Sequence, residues 1–99
     1  MASYIISELA KKDIVNIWNY TLGEWSEEQA VRYYNGLIDT CERIASCPGT
    51  AGHSYDHVRP DLRGIACGHH IIFFRIISEE RIRIVRILHE RMDFPRHFQ

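Results

Sequence analysis

The sequence predicts an α+β fold in which a hairpin of two helices packs on an antiparallel sheet. Three observations support this prediction. Apolar residues recur at intervals of three and four through residues 9–25 and again through residues 30–45, as they do in amphipathic helices. Residues 69–77 and 81–88 are rich in β-branched and aromatic side chains, as strands are. Few residues separate the two helical stretches, so we expect the helices to form an antiparallel hairpin. With a first strand before the hairpin and three strands after it, the element order is β-α-α-β-β-β.

The first two elements are a short strand and a long helix. Residues 3–7 are partly β-branched and end at Ser7, whose hydroxyl can accept a hydrogen bond from the first turn of a helix. The apolar stripe that follows includes Trp18 and Trp25. Because aromatic side chains dominate small cores, we interpret both tryptophans first as core residues.

The second helix begins at a capping motif. Ser26 and Gln29 stand three residues apart in the sequence SEEQ, so each side chain can bond the other's backbone amide. The helix should end near Cys47, because Pro48 disfavours helical geometry in the residue before it. Gly36 lies inside this helix, where glycine is unfavourable, and predicts a close crossing with another element.

Residues 48–61 predict a long loop, because they are rich in Gly, Pro, His and Asp and show no periodicity. His53 and His57 have the spacing of a helical metal pair, but no helix is expected here, and solvated loop histidines are favoured over a zinc site. Three strands then form a meander over residues 62–66, 69–77 and 81–88, and the C-terminal residues suit a short helix.

The last strand, which begins the sequence RIRIVRILHERM, organises our interpretation of the chain. Regular alternation would place Ile82, Ile84 and Leu88 on one face and Val85 and Ile87 on the other. Arg86 interrupts the first face, so its end should open onto a surface or cleft that lets the cation reach water or an anion. The three residues that follow Leu88, in the order His-Glu-Arg, are all polar. Recognition or chemistry is therefore expected at this end of the strand.

Length and composition bound the class of protein. The 99 residues, 45% of them hydrophobic, suit a single domain over 1–99, and the formal charge of −1 argues against non-specific nucleic-acid binding. No apolar run has membrane-spanning length and the start lacks a secretory pattern, so we expect a cytoplasmic protein with no membrane partner. The odd number of cysteines favours reduced thiols at Cys41, Cys47 and Cys67.

Four segments resemble the ParE toxins of bacterial toxin–antitoxin modules, within the RelE/ParE superfamily. They are YIISELAKKDIVNIWNY, EEQAVRYYNGL, RPDLRGIACGHHIIFFRI and VRILHERMD, of which the last two are the most specific. The resemblance implies a toxin that arrests growth and stabilises a plasmid or chromosome, and that a cognate antitoxin encoded beside it neutralises. It also implies inhibition of DNA gyrase. In that interpretation the protein is an inhibitor and not an enzyme, and it needs no catalytic residue, metal or cofactor.

The resemblance also nominates residues for contact with the target, near the end of the sheet: Arg63, Arg86, His89, Arg91 and Met92. The alternative is a RelE-like endonuclease that cuts mRNA on the ribosome, with Arg63, Arg86 and His89 as its catalytic groups. Against it, the only lysines are Lys11 and Lys12, at the start of the first helix, so the sheet lacks the lysine-rich face of RelE-like nucleases.

A third hypothesis is purely structural, with these arginines forming ion pairs to Glu79, Glu80 and Glu90 across the meander. Arg86 is the least easily explained in this way, and replacing it by Leu is expected to leave the fold intact.

Two surfaces are candidates for the antitoxin. One is the seam between the helical hairpin and the sheet, near Trp18, Trp25 and Tyr33. The other is the edge strand of residues 62–66, which begins at Leu62. A partner segment that folds on binding can occupy either kind of surface, as a helix in an apolar groove or as an added strand. Both remain open.

Overall fold

A helical hairpin lies on one face of a five-stranded sheet in the computed structural model, which describes residues 3–98. This confirms the predicted α+β fold. In chain order the elements are β1 (Ser3–Ile6), α1 (Glu8–Glu24), α2 (Glu27–Ser46), β2 (His53–Ser54), β3 (Arg63–Cys67), β4 (His70–Ser78), β5 (Arg81–His89) and the short C-terminal helix α3 (Phe94–His97). None of the helices within residues 3–98 is both long and apolar enough to cross a membrane.

The sheet is mixed, with strand order β1-β5-β4-β3-β2. β1 pairs in parallel with β5, whereas the other neighbours are antiparallel, so the prediction of a wholly antiparallel sheet needs this correction. The predicted loop over residues 48–61 contains β2, which pairs with Arg63 and Gly64. A strand of two residues is too short to show alternation in the sequence, which is why it was missed.

Serine caps fix the start of both long helices, as the sequence predicts. The Ser7 hydroxyl accepts a hydrogen bond from the Ala10 amide, and the Ser26 hydroxyl accepts one from the Gln29 amide, both at 3.1 Å. Gly36 behaves differently from its prediction, because no atom outside its own helix lies within 4 Å of the position that a Cβ would occupy. It therefore marks no close crossing.

The principal core fills the space between the helical hairpin and the sheet. The helices contribute Ile17, Leu37 and Ile44, and the sheet contributes Ile72, Phe74, Ile82, Ile84 and Ile87. Trp25 lies outside this core with 46% of its surface exposed, so its interpretation as a core residue is wrong. The cysteines at positions 41, 47 and 67 are free thiols, as predicted.

A second, smaller core covers part of the opposite face of the sheet. Leu62, Phe73 and Leu88 are its buried centre. The rings of Phe94 and Phe98 in the C-terminal segment contact the Phe73 ring, with centroids 5.0 and 5.2 Å away. The loop before β3 and helix α3 therefore cover one end of this face and leave the other end open.

A β-bulge in β5 reverses the predicted faces of its second half. Phe74 pairs with Ile84 and Phe73 pairs with Arg86, so Val85 is an extra residue in β5. Beyond the bulge, Ile87 joins the principal core and Leu88 joins the second core. The prediction that Ile84 and Leu88 share a face is therefore wrong, because one inserted residue shifts every later side chain to the other side.

Candidate functional site

Three histidines meet at one end of the sheet, where β5 ends and the β3–β4 turn begins. His70 pairs with His89 across β4 and β5, and their rings lie 5.4 Å apart between centroids. The His69 ring stacks on the His89 ring at 6.3 Å, and the Glu90 amide donates to the His69 carbonyl at 2.9 Å. We call His69, His70, His89, Glu90 and Arg91 the histidine end.

Tyr33 of α2 holds this group from the helical side. Its hydroxyl oxygen accepts a hydrogen bond from the His69 amide at 3.1 Å and lies 2.5 Å from Nδ1 of His70. Burial raises the pKa of Tyr33, so the phenol keeps its proton and can donate it to that nitrogen. Burial, with further contributions from His89 and His69, lowers the pKa of His70 from 6.5 to about 4. His70 is therefore a neutral acceptor near pH 7.

The aromatic contacts continue from Tyr33 to Trp25 at the end of α1. The Trp25 and Tyr33 rings are 6.3 Å apart, and the Tyr33 and His70 rings are 5.6 Å apart. Trp25 and Tyr33 line a depression of about 350 Å³ beside Gly68 in the β3–β4 turn. Two residues predicted for the antitoxin are thus linked through the His70 ring to His89, which was predicted for the target.

Gly68 allows the β3–β4 turn to approach Tyr33 closely. Its φ of +60° is in the left-handed region, and a Cβ there would lie 2.6 Å from a carbon of the Tyr33 ring. Trp18 lies elsewhere, against Tyr34 on the outer side of the helical hairpin, with ring centroids 6.2 Å apart. The seam predicted for the antitoxin therefore divides into two separate surfaces.

The chain after β5 projects from the histidine end. The Arg91 amide donates to Nδ1 of His89 at 3.1 Å, which fixes the start of this turn. The Arg91 side chain is exposed, and within residues 3–98 it has no carboxylate within 4 Å. Met92 follows with 44% of its surface exposed. Both side chains can reach a partner without any change in the fold.

Arg86 is held inside the protein by Asp13 of α1. Its Nε and Nη2 atoms donate to the two Asp13 carboxylate oxygens at 2.8 and 2.9 Å, and Nη1 donates to the His97 carbonyl at 3.1 Å. The side chains are only 14% and 11% exposed. Donation to Asp13 raises the pKa of Arg86, so the cation persists. Arg86 therefore joins α1, β5 and α3.

The same carboxylate closes the edge of β5 where β1 has ended. Asp13 Oδ2 accepts a hydrogen bond from the Ile87 amide at 2.9 Å, and the Ser7 hydroxyl donates one to the Val85 carbonyl at 2.7 Å.

The Asp13–Arg86 pair contradicts the expectation that Arg86→Leu leaves the fold intact, because the change would leave a buried carboxylate without its cation. Asp13 was missed by the sequence analysis, although it occupies a buried position of the helical stripe between Ala10 and Ile17.

Arg63 and Leu62 lie away from the histidine end. Arg63 starts β3, four residues before Cys67, which pairs with His70. At the usual strand rise, Arg63 and Cys67 are about 13 Å apart along β3. The Arg63 Nη2 atom donates to the Ala51 carbonyl at 2.8 Å, and Leu62 is fully buried. Leu62 thus has no surface for the predicted antitoxin contact, and β2 covers the start of the predicted edge strand.

The same fold occurs in a solved structure of a bacterial toxin–antitoxin system. A solved structure described as the chromosomal ParDE TA system from P. aeruginosa matches with a TM-score of 0.76, over 90% of this chain and 96% of that chain. At 17% sequence identity this likeness shows the fold alone.

The sequence defines the family within that class. Residues 4–94 match the family described as the ParE toxin of type II toxin–antitoxin systems, parDE. Toxin ParE1 of Mycobacterium tuberculosis strain H37Rv is 35% identical over 94 residues, which are 95% of each chain. Toxin ParE1 of Caulobacter vibrioides is 37% identical over 97 residues, which are 98% of each chain. Toxin ParE of Escherichia coli is 36% identical over 94% of this chain and 89% of its own. The chain belongs to the ParE toxin family.

Proposed function

We propose that this ParE-family toxin inhibits DNA gyrase, through contacts made by the histidine end and Met92, and so arrests DNA replication in the cytoplasm. The observation that carries the proposal is that the half-buried His89 at the end of β5 is followed at once by the exposed Arg91 and Met92. Arginine and methionine are enriched in protein interfaces. Such a surface suits an inhibitor that captures one state of a larger enzyme.

The ribonuclease alternative receives less support from the geometry. Cleavage of RNA needs a base, an acid and cations around one phosphate. Arg63 is about four strand residues from the histidine end, and the Arg86 guanidinium is occupied by Asp13 and His97. Only His89 of the three nominated groups stands at the exposed end. We therefore propose that the protein acts as an inhibitor and not as an enzyme.

The aromatic contacts suggest how the antitoxin neutralises the toxin. Trp25 and Tyr33 are linked through ring contacts to His70 and His89. A partner segment that packs in the depression beside Trp25 would reach across the histidine end. We propose that the cognate antitoxin blocks access to the target in this way, by covering the contact residues.

A supercoiling assay with purified gyrase tests the proposed target. The native protein is expected to inhibit supercoiling and to accumulate cleaved DNA. Arg91→Ala and His89→Ala should each raise the concentration needed for half-inhibition by at least roughly tenfold, since anchoring side chains at an interface dominate its affinity. Arg43→Ala removes an exposed arginine from the end of α2 and serves as the matched control, for which no change is expected.

Two outcomes would contradict the proposal. Full gyrase activity at saturating toxin would exclude gyrase as the target, provided the toxin remains folded. Equal inhibition by the native protein, Arg91→Ala and His89→Ala would retain gyrase but remove the histidine end from the contact.

A further inference from the structure

One of the two nitrogens of the His89 ring is already engaged within the protein. The Arg91 amide donates a hydrogen bond to Nδ1 of His89 at 3.1 Å, so this nitrogen is an acceptor and carries no proton. In a neutral imidazole the proton then lies on the other nitrogen, because only one of the two is an N–H group. The turn after β5 therefore selects the tautomer of His89 that has its proton on Nε2.

The Nε2 atom of His89 is accessible to a partner. Among residues 3–98 it forms no hydrogen bond. It reaches solvent, because the only buried side-chain nitrogen or oxygen without a partner in those residues is Nε of Arg63. A donor that is covered by a partner loses its water, and this weakens binding unless the partner supplies an acceptor. The tautomer of His89 therefore restricts what can bind over it.

The orientation of the His89 ring is supported by two neighbouring rings. The His70 ring meets it edge to face, with centroids 5.4 Å apart. The His69 ring lies nearly parallel to it, with 18° between the planes and 6.3 Å between the centroids. His70 is itself bonded to the Tyr33 hydroxyl. The direction of the Nε2–H bond thus depends on the fold around it as well as on the turn.

Arg91 extends the same preference for an acceptor. A guanidinium group has only donors, and this one is exposed, with no carboxylate within 4 Å among residues 3–98. Glu90 lies between the two residues in the sequence, but its Oε1 atom is 3.5 Å from Nδ1 of His69. A carbonyl or carboxylate oxygen complements the donors of His89 and Arg91. The formal charge of −1 gives no general attraction to a chain of phosphates, so we place this oxygen on a protein.

We infer that His89 contacts the target as a hydrogen-bond donor, through Nε2 to a carbonyl or carboxylate oxygen of gyrase, and that the Arg91 amide selects this role. The inference rests on the proposed function and adds to it the atom and the chemistry of one contact. The competing role for His89 is structural. In that case Nδ1 accepts the Arg91 amide to hold the turn, and Nε2 makes no contact with the target.

Two substitutions of His89 separate these roles. In His89→Gln an amide N–H group lies near the position of Nε2, whereas in His89→Asn an oxygen lies near the position of Nδ1 and can still accept the Arg91 amide. In the supercoiling assay, His89→Gln should inhibit within about threefold of the native concentration, and His89→Asn should need at least roughly tenfold more protein. His53→Gln changes an exposed histidine of β2 and is the matched control, for which no change is expected.

The tautomer can be measured in the toxin alone. Nitrogen-15 NMR of the labelled protein at about pH 8 is expected to show the proton of His89 on Nε2, because the Arg91 amide bonds the other nitrogen. The signals of His89 are assigned by their loss in His89→Gln. A proton on Nδ1 would overturn the inference whatever the toxin does to gyrase.

The outcomes distinguish this inference from the proposed function. Stronger inhibition by His89→Asn than by His89→Gln would assign His89 to the turn, and equal inhibition by the two would also overturn the donor contact. If the native protein does not inhibit gyrase, the proposed function fails. The same two variants are then compared for growth arrest in cells, where a donor contact with another protein target predicts the same order. Equal melting temperatures of the variants exclude misfolding.

Discussion

Removal of the Asp13 carboxylate should destabilise the toxin far more than removal of any exposed acid. In the variant Asp13→Ala, the Arg86 guanidinium loses both of its carboxylate contacts, and the Ile87 amide loses its acceptor. Both partners are largely buried, with 14% and 11% of their side-chain surface exposed. The cation is then left in a poorly solvated place with only the His97 carbonyl to accept from it.

The expected magnitude follows from these contacts. Removing one partner of a buried ion pair typically costs about 3–5 kcal/mol, and the remaining His97 contact places this case near 3 kcal/mol. The unpaired Ile87 amide adds about 1 kcal/mol. The sum of about 4 kcal/mol is a large share of the roughly 5–15 kcal/mol by which small domains are stable. It corresponds to a fall of at least roughly 15 °C in melting temperature for a chain of this size.

Thermal and urea unfolding, followed by circular dichroism, measure this effect. Glu28→Ala is the matched control, because it removes an acid from an exposed pair with Arg32 on α2 and should cost less than about 1 kcal/mol. The variant Asp13→Asn/Arg86→Leu should recover much of the loss, since the amide oxygen can still accept the Ile87 amide and no charge is left buried. A loss below about 1 kcal/mol in Asp13→Ala would refute the view that this pair holds α1, β5 and α3 together.

Three further outcomes are expected from folded-state geometry. Gly36→Ala should stabilise the protein by about 0.5–1 kcal/mol in urea unfolding, since a Cβ there has free space, and a destabilised variant would contradict this. Gly68→Ala should destabilise it in the same assay, because the φ of +60° and the Tyr33 ring both oppose a side chain; unchanged stability would refute the tight turn. For His70 the folded pKa of about 4 lies below the unfolded value of 6.5, so the unfolded chain binds protons first and stability should fall as the pH drops from 6.5 to 4. His70→Asn should lack this part of the pH dependence, and an imidazole that titrates near 6.5 by NMR in the native protein would contradict the buried, neutral histidine.

The main elements of the fold followed from local signals. Ser7 and Ser26 start their helices where the sequence places them, because side-chain capping is a contact over only three residues. The face of Ile87 was wrong for a different reason. The bulge at Val85 is fixed by pairing with β4, and nothing within β5 announces an extra residue.

The sequence predicts the part of the candidate site that is accessible to solvent, but not the contacts between distant residues that hold it in place. The end of β5 was expected to be polar and accessible, and His89, Arg91 and Met92 are placed there. The partner of Arg86 was not predicted, because Asp13 is 73 residues away and long-range pairing leaves no mark in the local pattern. The role of Tyr33 beside His70 likewise depends on a contact between α2 and β4 that is visible only in the folded chain.

We propose that this ParE-family toxin stops DNA replication by acting on gyrase. The most direct test is brief induction in bacterial cells with parallel incorporation of labelled thymidine and labelled methionine. The proposal predicts that DNA synthesis falls first, with filamentation and a DNA-damage response, and that Arg91→Ala delays this fall. A collapse of protein synthesis before DNA synthesis would contradict it and favour cleavage of mRNA on the ribosome.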